Sequence, residues 1–213
     1  MTRTSSSRAG FTLIEILIVI GILSLLAVAL LPNILGASKK AEVTETSARI
    51  NMLVSIAETF DRQSKLGYYP PDDFNAPGFA EKPKSNGMNV GIESFLFYTH
   101  LKKLGSMQTI EDKTDWLKNT DGDDGGILIG LLGTTKLMEV VDKWDTPFAY
   151  FNHVNYEKPQ RIRRSDGNEQ TARAMKNKGS GAWLNPQRFQ IISAGPDLEF
   201  GTEDDISYPE MPK

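Results

Sequence analysis

The sequence predicts an α+β protein: one long N-terminal α-helix, half transmembrane and half amphipathic, packed on a small C-terminal antiparallel sheet domain with loop insertions. Three observations predict it. Residues 11–31 are an unbroken apolar run, a helical apolar stripe follows over residues 43–60, and two short strand-like segments lie late in the chain at 148–154 and 188–193. The length of 213 residues suits one globular domain plus an anchor. Hydrophobic residues at 39% and charged residues at 24% are the composition of a folded domain, not of a disordered chain.

Composition also excludes several kinds of chemistry. There is no cysteine, so disulfides, thiolate catalysis and zinc–thiolate sites are all ruled out. The two histidines, His100 and His153, are too few for a multi-histidine metal centre and read as ordinary core or surface residues. A net charge of -3, from 24 Lys+Arg against 27 Asp+Glu, gives no reason to expect a nucleic-acid partner.

The first element is the apolar run Phe11–Leu31, FTLIEILIVIGILSLLAVALL, whose sole charge is Glu15. At ~1.5 Å rise per residue it is about 31 Å long, which matches the ~30 Å hydrocarbon core of a bilayer. It is apolar on every face apart from Thr12, Glu15 and Ser24, unlike an amphipathic core helix. The preceding MTRTSSSRAG is short, carries Arg3 and Arg8, and reads as a cytoplasmic leader over residues 1–10. Its plausible processing point, Gly10, lies before the apolar run, whereas a secretory signal is cut after it, so the anchor stays on the mature chain. Glu15 is the anomaly, because an ionised carboxylate in a membrane span costs on the order of 3 kcal/mol and needs a partner.

Gly10, Phe11, Thr12, Leu13, Ile14 and Glu15, followed by the apolar helix, closely resemble the type IV pilin and pseudopilin family. The resemblance implies cleavage between Gly10 and Phe11 by a membrane-embedded prepilin peptidase, which then N-methylates Phe11. It implies that Glu15 pairs with the N-terminal amine of a neighbouring subunit during assembly. Pro32 falls where many family members have a helix-kinking proline, and an interior proline does remove one backbone hydrogen bond.

Residues 33–66 continue the helix in amphipathic form, with Val43, Ile50, Leu53, Val54, Ala57 and Phe60 as the stripe that packs on the globular domain of residues 67–213. Gly67, then Tyr68, Tyr69, Pro70 and Pro71, marks its end. The stretch FDRQSKLGYYP is similar to the Gly-x-Tyr-Pro segment that follows the long helix in major pseudopilins of type II secretion systems. Residues 71–90 read as an irregular loop and 91–104 as a helix burying Ile92, Phe95, Leu96 and Leu101. Within 71–140, longer here than in a compact pseudopilin, NTDGDDGG (residues 119–126) lacks the EF-hand pattern in any register and reads as a solvated acidic turn.

Trp144, Pro147, Phe148 and Tyr150 resemble the family's Trp-Gly-x-Pro-Tyr-x-Tyr turn and strand, with Asp145 where glycine is usual. The basic stretch 158–178 reads as a solvated loop. The last loop, residues 193–207, holds Asp197, Glu199, Glu203, Asp204 and Asp205, a density of carboxylates that a hard cation would offset. It closely resembles the calcium-binding C-terminal loop of major pseudopilins, with Leu198 in place of a glycine. The resemblance implies one Ca²⁺, held first by Asp197 and Asp205, then by Asp204, Glu203 and carbonyls near Ser193.

These readings converge on a structural subunit of a type II secretion pseudopilus. The expected partners are copies of itself, other pseudopilins, the inner-membrane assembly platform and the prepilin peptidase. The expected location is the bacterial inner membrane, with the C-terminal domain in the periplasm. The alternatives are a type IV pilin subunit for adhesion, motility or DNA uptake, and a membrane-tethered periplasmic enzyme. The last finds no nucleophile elbow, P-loop, dinucleotide fingerprint or metalloprotease motif in the sequence.

Overall fold

The first helix, α1, spans Leu13–Ser64 and contains Pro32 within its helical backbone. The computed structural model describes residues 11–64, 67–101, 110 and 113–211, excepting the side chains of 29–35 and 101. The chain divides into two compact units, residues 1–42 and 43–213, and α1 contributes to both. In the second unit the helix buries Thr46, Arg49, Ile50, Leu53, Ile56, Ala57 and Phe60, recurring at three- and four-residue steps. The predicted stripe is therefore present, with Val43 and Val54 at its half-buried edge. Gly67, at φ 73, takes the left-handed conformation that stops the chain from continuing as a helix.

The second helix, α2 (Val90–Leu101), answers to the one predicted over 91–104. Residues 102–109 and the side chain of Leu101 lie outside the described residues. Ile92, Phe95, Leu96, Phe97 and Tyr98 are all buried, so α2 is covered on most of its circumference rather than on one stripe.

The strands among the described residues are β1 (Leu117–Lys118), β2 (Asp124–Ile129), β3 (Thr134–Lys136), β4 (Glu139–Val140), β5 (Ala149–Asn152), β6 (Gln160–Arg163), β7 (Glu169–Ala172), β8 (Phe189–Ser193) and β9 (Ile206–Tyr208). All pairings are antiparallel: β1 with β4, β2 with β3, β6 with β7, and a three-stranded sheet in the order β5-β8-β9. The predicted strands at 148–154 and 188–193 are β5 and β8. Alternation sorts their side chains: Phe148, Tyr150, Phe189 and Ile191 join the core built on α1 and α2, while Ala149, Phe151 and Ile192 join a smaller core with Ile162 and Ala172 of the β6–β7 hairpin.

That hairpin corrects the reading of 158–178 as a solvated basic loop. Acidic partners interleave with the basic residues, Arg161 bonding Glu169 at 3.1 Å and Arg164 bonding Asp166 at 2.6 Å. Gly167 at φ 85 lets the turn between them close. Asp145 has φ 63, so it adopts the conformation of the glycine it replaces, and its carboxylate meets Lys118 Nζ at 2.6 Å.

Candidate functional site

Two segments predicted to carry function are described, one at the start of α1 and one after β8. Gly10 lies outside the described residues. Phe11 is 81% exposed. At the helix start the Glu15 carboxylate oxygen Oε2 accepts from the Thr12 backbone N–H at 2.8 Å and from its hydroxyl at 2.7 Å, while Thr12 Oγ1 accepts from the Glu15 N–H at 3.3 Å. This reciprocal pair is a capping box, and it fixes where the helix begins. From Ile16 to Val28 the large side chains are 47–74% exposed, with no charged group among them. Burying the rest of each in an apolar environment would gain roughly 1–2 kcal/mol. The single described polar side chain in this stretch, Ser24, donates to Ile20 O at 2.8 Å and so presents no free hydroxyl donor. Among the described residues no helix is long and apolar enough to cross a membrane, the described side chains of the apolar run ending at Val28. Pro32 lies in α1, and its side chain is outside the described set.

The C-terminal loop is closed by its own hydrogen bonds. Asp204 Oδ2 accepts from Asp197 N at 3.1 Å and its Oδ1 from the Thr202 hydroxyl at 2.6 Å. Asp197 Oδ1 accepts from Glu199 N and Asp205 Oδ2 from Gly201 N, each at 2.8 Å. Gly195, at φ 67, lies so close to the Asp204 carbonyl that an added Cβ would sit 2.3 Å from its oxygen. Leu198 has φ 67, the conformation that a glycine there would adopt without strain. From outside the loop, the Gln170 side-chain amide of β7 clamps it, donating to Leu198 O and accepting from Phe200 N.

The loop's fit to a cation turns on Asp205, whose Oδ1 is buried with no hydrogen-bond donor. Burial, and then the charges of Asp197 and Asp204, push the Asp205 carboxyl up to about 6, the electrostatic signature of an uncompensated site. A cation there would satisfy the orphaned oxygen. Ser193 is committed elsewhere: its hydroxyl donates to Asp142 Oδ2 at 2.6 Å and accepts from Gly195 N. Glu203 is exposed and Thr202 half-buried, both along a groove that also touches Val43, Ser47 and Ile50 of α1.

Sequence reading missed Asp142, the organiser of the turn before β5. Its Oδ1 accepts from Trp144 N and Thr146 N at 2.9 and 3.0 Å, and its Oδ2 holds Ser193. The Asp-x-Trp spacing of an Asx-type turn was the available signal. The predicted solvated turn at 119–126 is also corrected, since Asp121 and Asp123 each bury one carboxylate oxygen against the domain. His100, read as an ordinary core or surface residue, is buried, its ring Nδ1 2.6 Å from Leu96 O.

The prokaryotic N-terminal methylation motif matches residues 5–31. Over 51 residues, 24% of this chain, the sequence is 49% identical to the type IV wide pilus major component PilA4 of Thermus thermophilus. The match covers 39% of that protein's length. No solved structure matches the chain. The N-terminal region is type IV pilin-like, and a long helix followed by antiparallel sheets agrees with a pilin-like α+β fold.

Proposed function

We propose that the chain is a non-enzymatic filament subunit that polymerises through its N-terminal helix, and that the filament is the periplasmic pseudopilus of a type II secretion system. The observation that carries this reading is the exposed apolar helix from Phe11 to Val28, broken in charge only by Glu15. Such a surface is stable in lipid before assembly and among the helices of other subunits after it. Cleavage after Gly10, methylation of Phe11 and a single pass through the inner membrane belong to the same proposal. So do the partners: copies of itself, other pseudopilins, the assembly platform and the prepilin peptidase.

The choice of pseudopilus over pilus rests on the C-terminal half. The chain has no cysteine to staple that half, and the loop 193–207 is dense in carboxylates that a calcium ion would bridge, Asp197 and Asp205 first, with Asp204, Glu203 and carbonyls near Ser193 behind them. The orphaned Asp205 Oδ1 supports a cation there. The pilus component matched at the N-terminus favours the second reading, a type IV pilin, over the segment that both kinds of filament need.

Replacing Glu15 with Ala tests the filament. The variant should accumulate in membranes at the wild-type level with its second unit folded, and filament yield should fall at least tenfold. Filament yield at the wild-type level would overturn a role for Glu15 between subunits. Deleting the gene separates the two filaments: lost export of folded proteins with surface pili intact is the expected result, and lost surface pili with export intact would assign the pilus instead.

A further inference from the structure

A second acidic constellation lies far in sequence from the C-terminal loop. Glu93 stands in the first turn of α2, Glu139 on β4, and Asp121 in the turn between β1 and β2. One carboxylate oxygen from each lies within 4.8 Å of the other two, and among the described residues these form the single such group. Two oxygens that each sit ~2.4 Å from a shared Ca²⁺ are at most about 4.8 Å apart, so the spacing is that of ligands around one ion.

Proximity of carboxylates alone is no site; the hydrogen bonding is what points to a ligand. Glu93 is 1% exposed, yet its Oε1 has no hydrogen-bond partner, and its Oε2 has only the Ser85 hydroxyl at 3.3 Å. Asp121 Oδ2 and Asp123 Oδ1 are likewise buried and unpartnered. None of the ion pairs among the described residues involves any of these carboxylates. A buried carboxylate oxygen without donor or counter-charge costs several kcal/mol. Glu139 shows how the fold treats an acid it intends to satisfy: Asn89 Nδ2 donates to its Oε1 at 3.0 Å and Thr120 N to its Oε2 at 3.0 Å. Glu93 has no such arrangement.

We propose that Glu93, Asp121 and Glu139, with Asp123 beside them, bind one hard divalent cation, calcium in preference to magnesium. All the donors are oxygens, with no histidine or cysteine among them, which excludes a zinc-type site. Carboxylates from a helix, a strand and an irregular turn suit the 6–8 flexible ligands of Ca²⁺ better than the strict octahedron of Mg²⁺. The ion would tie together three segments that span residues 93–139, in a chain that has no disulfide to do so. The inference is independent of which filament the chain builds.

The test uses the full chain in detergent micelles, titrated with CaCl₂ by calorimetry and melted in calcium and in EDTA. In an Asp197→Asn, Asp205→Asn background one calcium should still bind and raise the melting temperature by several degrees. Adding Glu93→Gln should weaken that binding at least tenfold and abolish the shift, while the melting temperature in EDTA stays level, because the amide keeps the shape of the buried carboxyl. Asp121→Asn should weaken binding too, and MgCl₂ at equal concentration should give a smaller shift. If the double background does not fold, the ion count decides: Glu93→Gln in the otherwise unchanged chain must bind one ion fewer. An unchanged calcium count and shift in Glu93→Gln and Asp121→Asn would overturn the site, as would no calcium response in a folded background variant. The second result leaves the C-terminal loop and the filament reading untouched.

Discussion

Leu198 holds φ 67, a left-handed conformation that costs an L-residue roughly 1–2 kcal/mol and glycine nothing. Glycine gives back about 0.4–1 kcal/mol through the greater freedom of the unfolded chain. Leu198→Gly should therefore raise the melting temperature by about 1–4 °C. A clear fall would mean that the half-buried leucine side chain contributes packing that outweighs the strain. Asp72 argues in the same way from a single group. It is 5% exposed, accepting from Asn152 N at 2.9 Å and Asn155 Nδ2 at 2.6 Å, with Asp73 the charged neighbour and Tyr150 and Tyr156 close by. Burial outweighs those two donors and pushes its carboxyl up to about 6 from an ordinary 3.8. A folded-state value above the unfolded one favours the folded state at low pH. That contribution, on the order of 3 kcal/mol, is lost as pH rises through about 6. Asp72→Asn cannot titrate, so the stability of wild type relative to the variant should decline between pH 4 and pH 7. A difference constant across that range would exclude Asp72 as the source.

At the scale of elements, the part of α1 from residue 43 onward is held within the second unit by more than its apolar stripe. Arg49, 3% exposed, donates through Nη1 to the carbonyls of Val141 and Asp142 at 2.8 and 3.2 Å and through Nη2 to Glu45 at 2.7 Å, with Trp116 stacked 4.9 Å from its guanidinium. Arg49→Met keeps the aliphatic stem but orphans the Val141 carbonyl, the Asp142 carbonyl keeping the Asp145 N–H at 3.3 Å, and should cost about 1–3 kcal/mol in denaturant unfolding. A loss under about 0.5 kcal/mol would mean that the apolar stripe alone seats the helix. Arg49 was not legible in the sequence, where it reads as one more polar residue between Thr46 and Ile50. The stripe itself was, because helical period and burial coincide at Ile50, Leu53, Ala57 and Phe60. The strands β5 and β8 were legible from their aromatic and β-branched runs. The β6–β7 hairpin was not, since it buries only Ile162 and Ala172 among charges and shows little alternation. The cluster of Glu93, Asp121 and Glu139 had no local signature at all, because its members meet only once α2, the 119–126 turn and β4 have packed.

The whole molecule combines a second unit that buries its own core with an N-terminal helix whose large apolar side chains stay exposed from Phe11 to Val28. Left in water, that surface would drive aggregation, and the proposed filament reading has the helix stay on the chain, first in a membrane and then among other subunits. On that proposal, the place of cleavage decides the fate of the molecule. A cut on the C-terminal side of residue 31 would release the second unit as a soluble domain with nothing to polymerise. A cut between Gly10 and Phe11 leaves the helix in place, two residues before α1 begins at Leu13 and just outside the Thr12–Glu15 capping box. On the proposed processing, a bulky side chain in place of Gly10 would block cleavage. Mature protein extracted from membranes should accordingly have the mass of a chain that starts at Phe11 with one added methyl group. Gly10→Leu should leave only uncut precursor in the membrane, with the second unit folded and no filament formed. Recovery of a soluble mature chain beginning beyond residue 31 would show that the apolar run is a conventional signal peptide, and would remove the helix on which the filament reading depends.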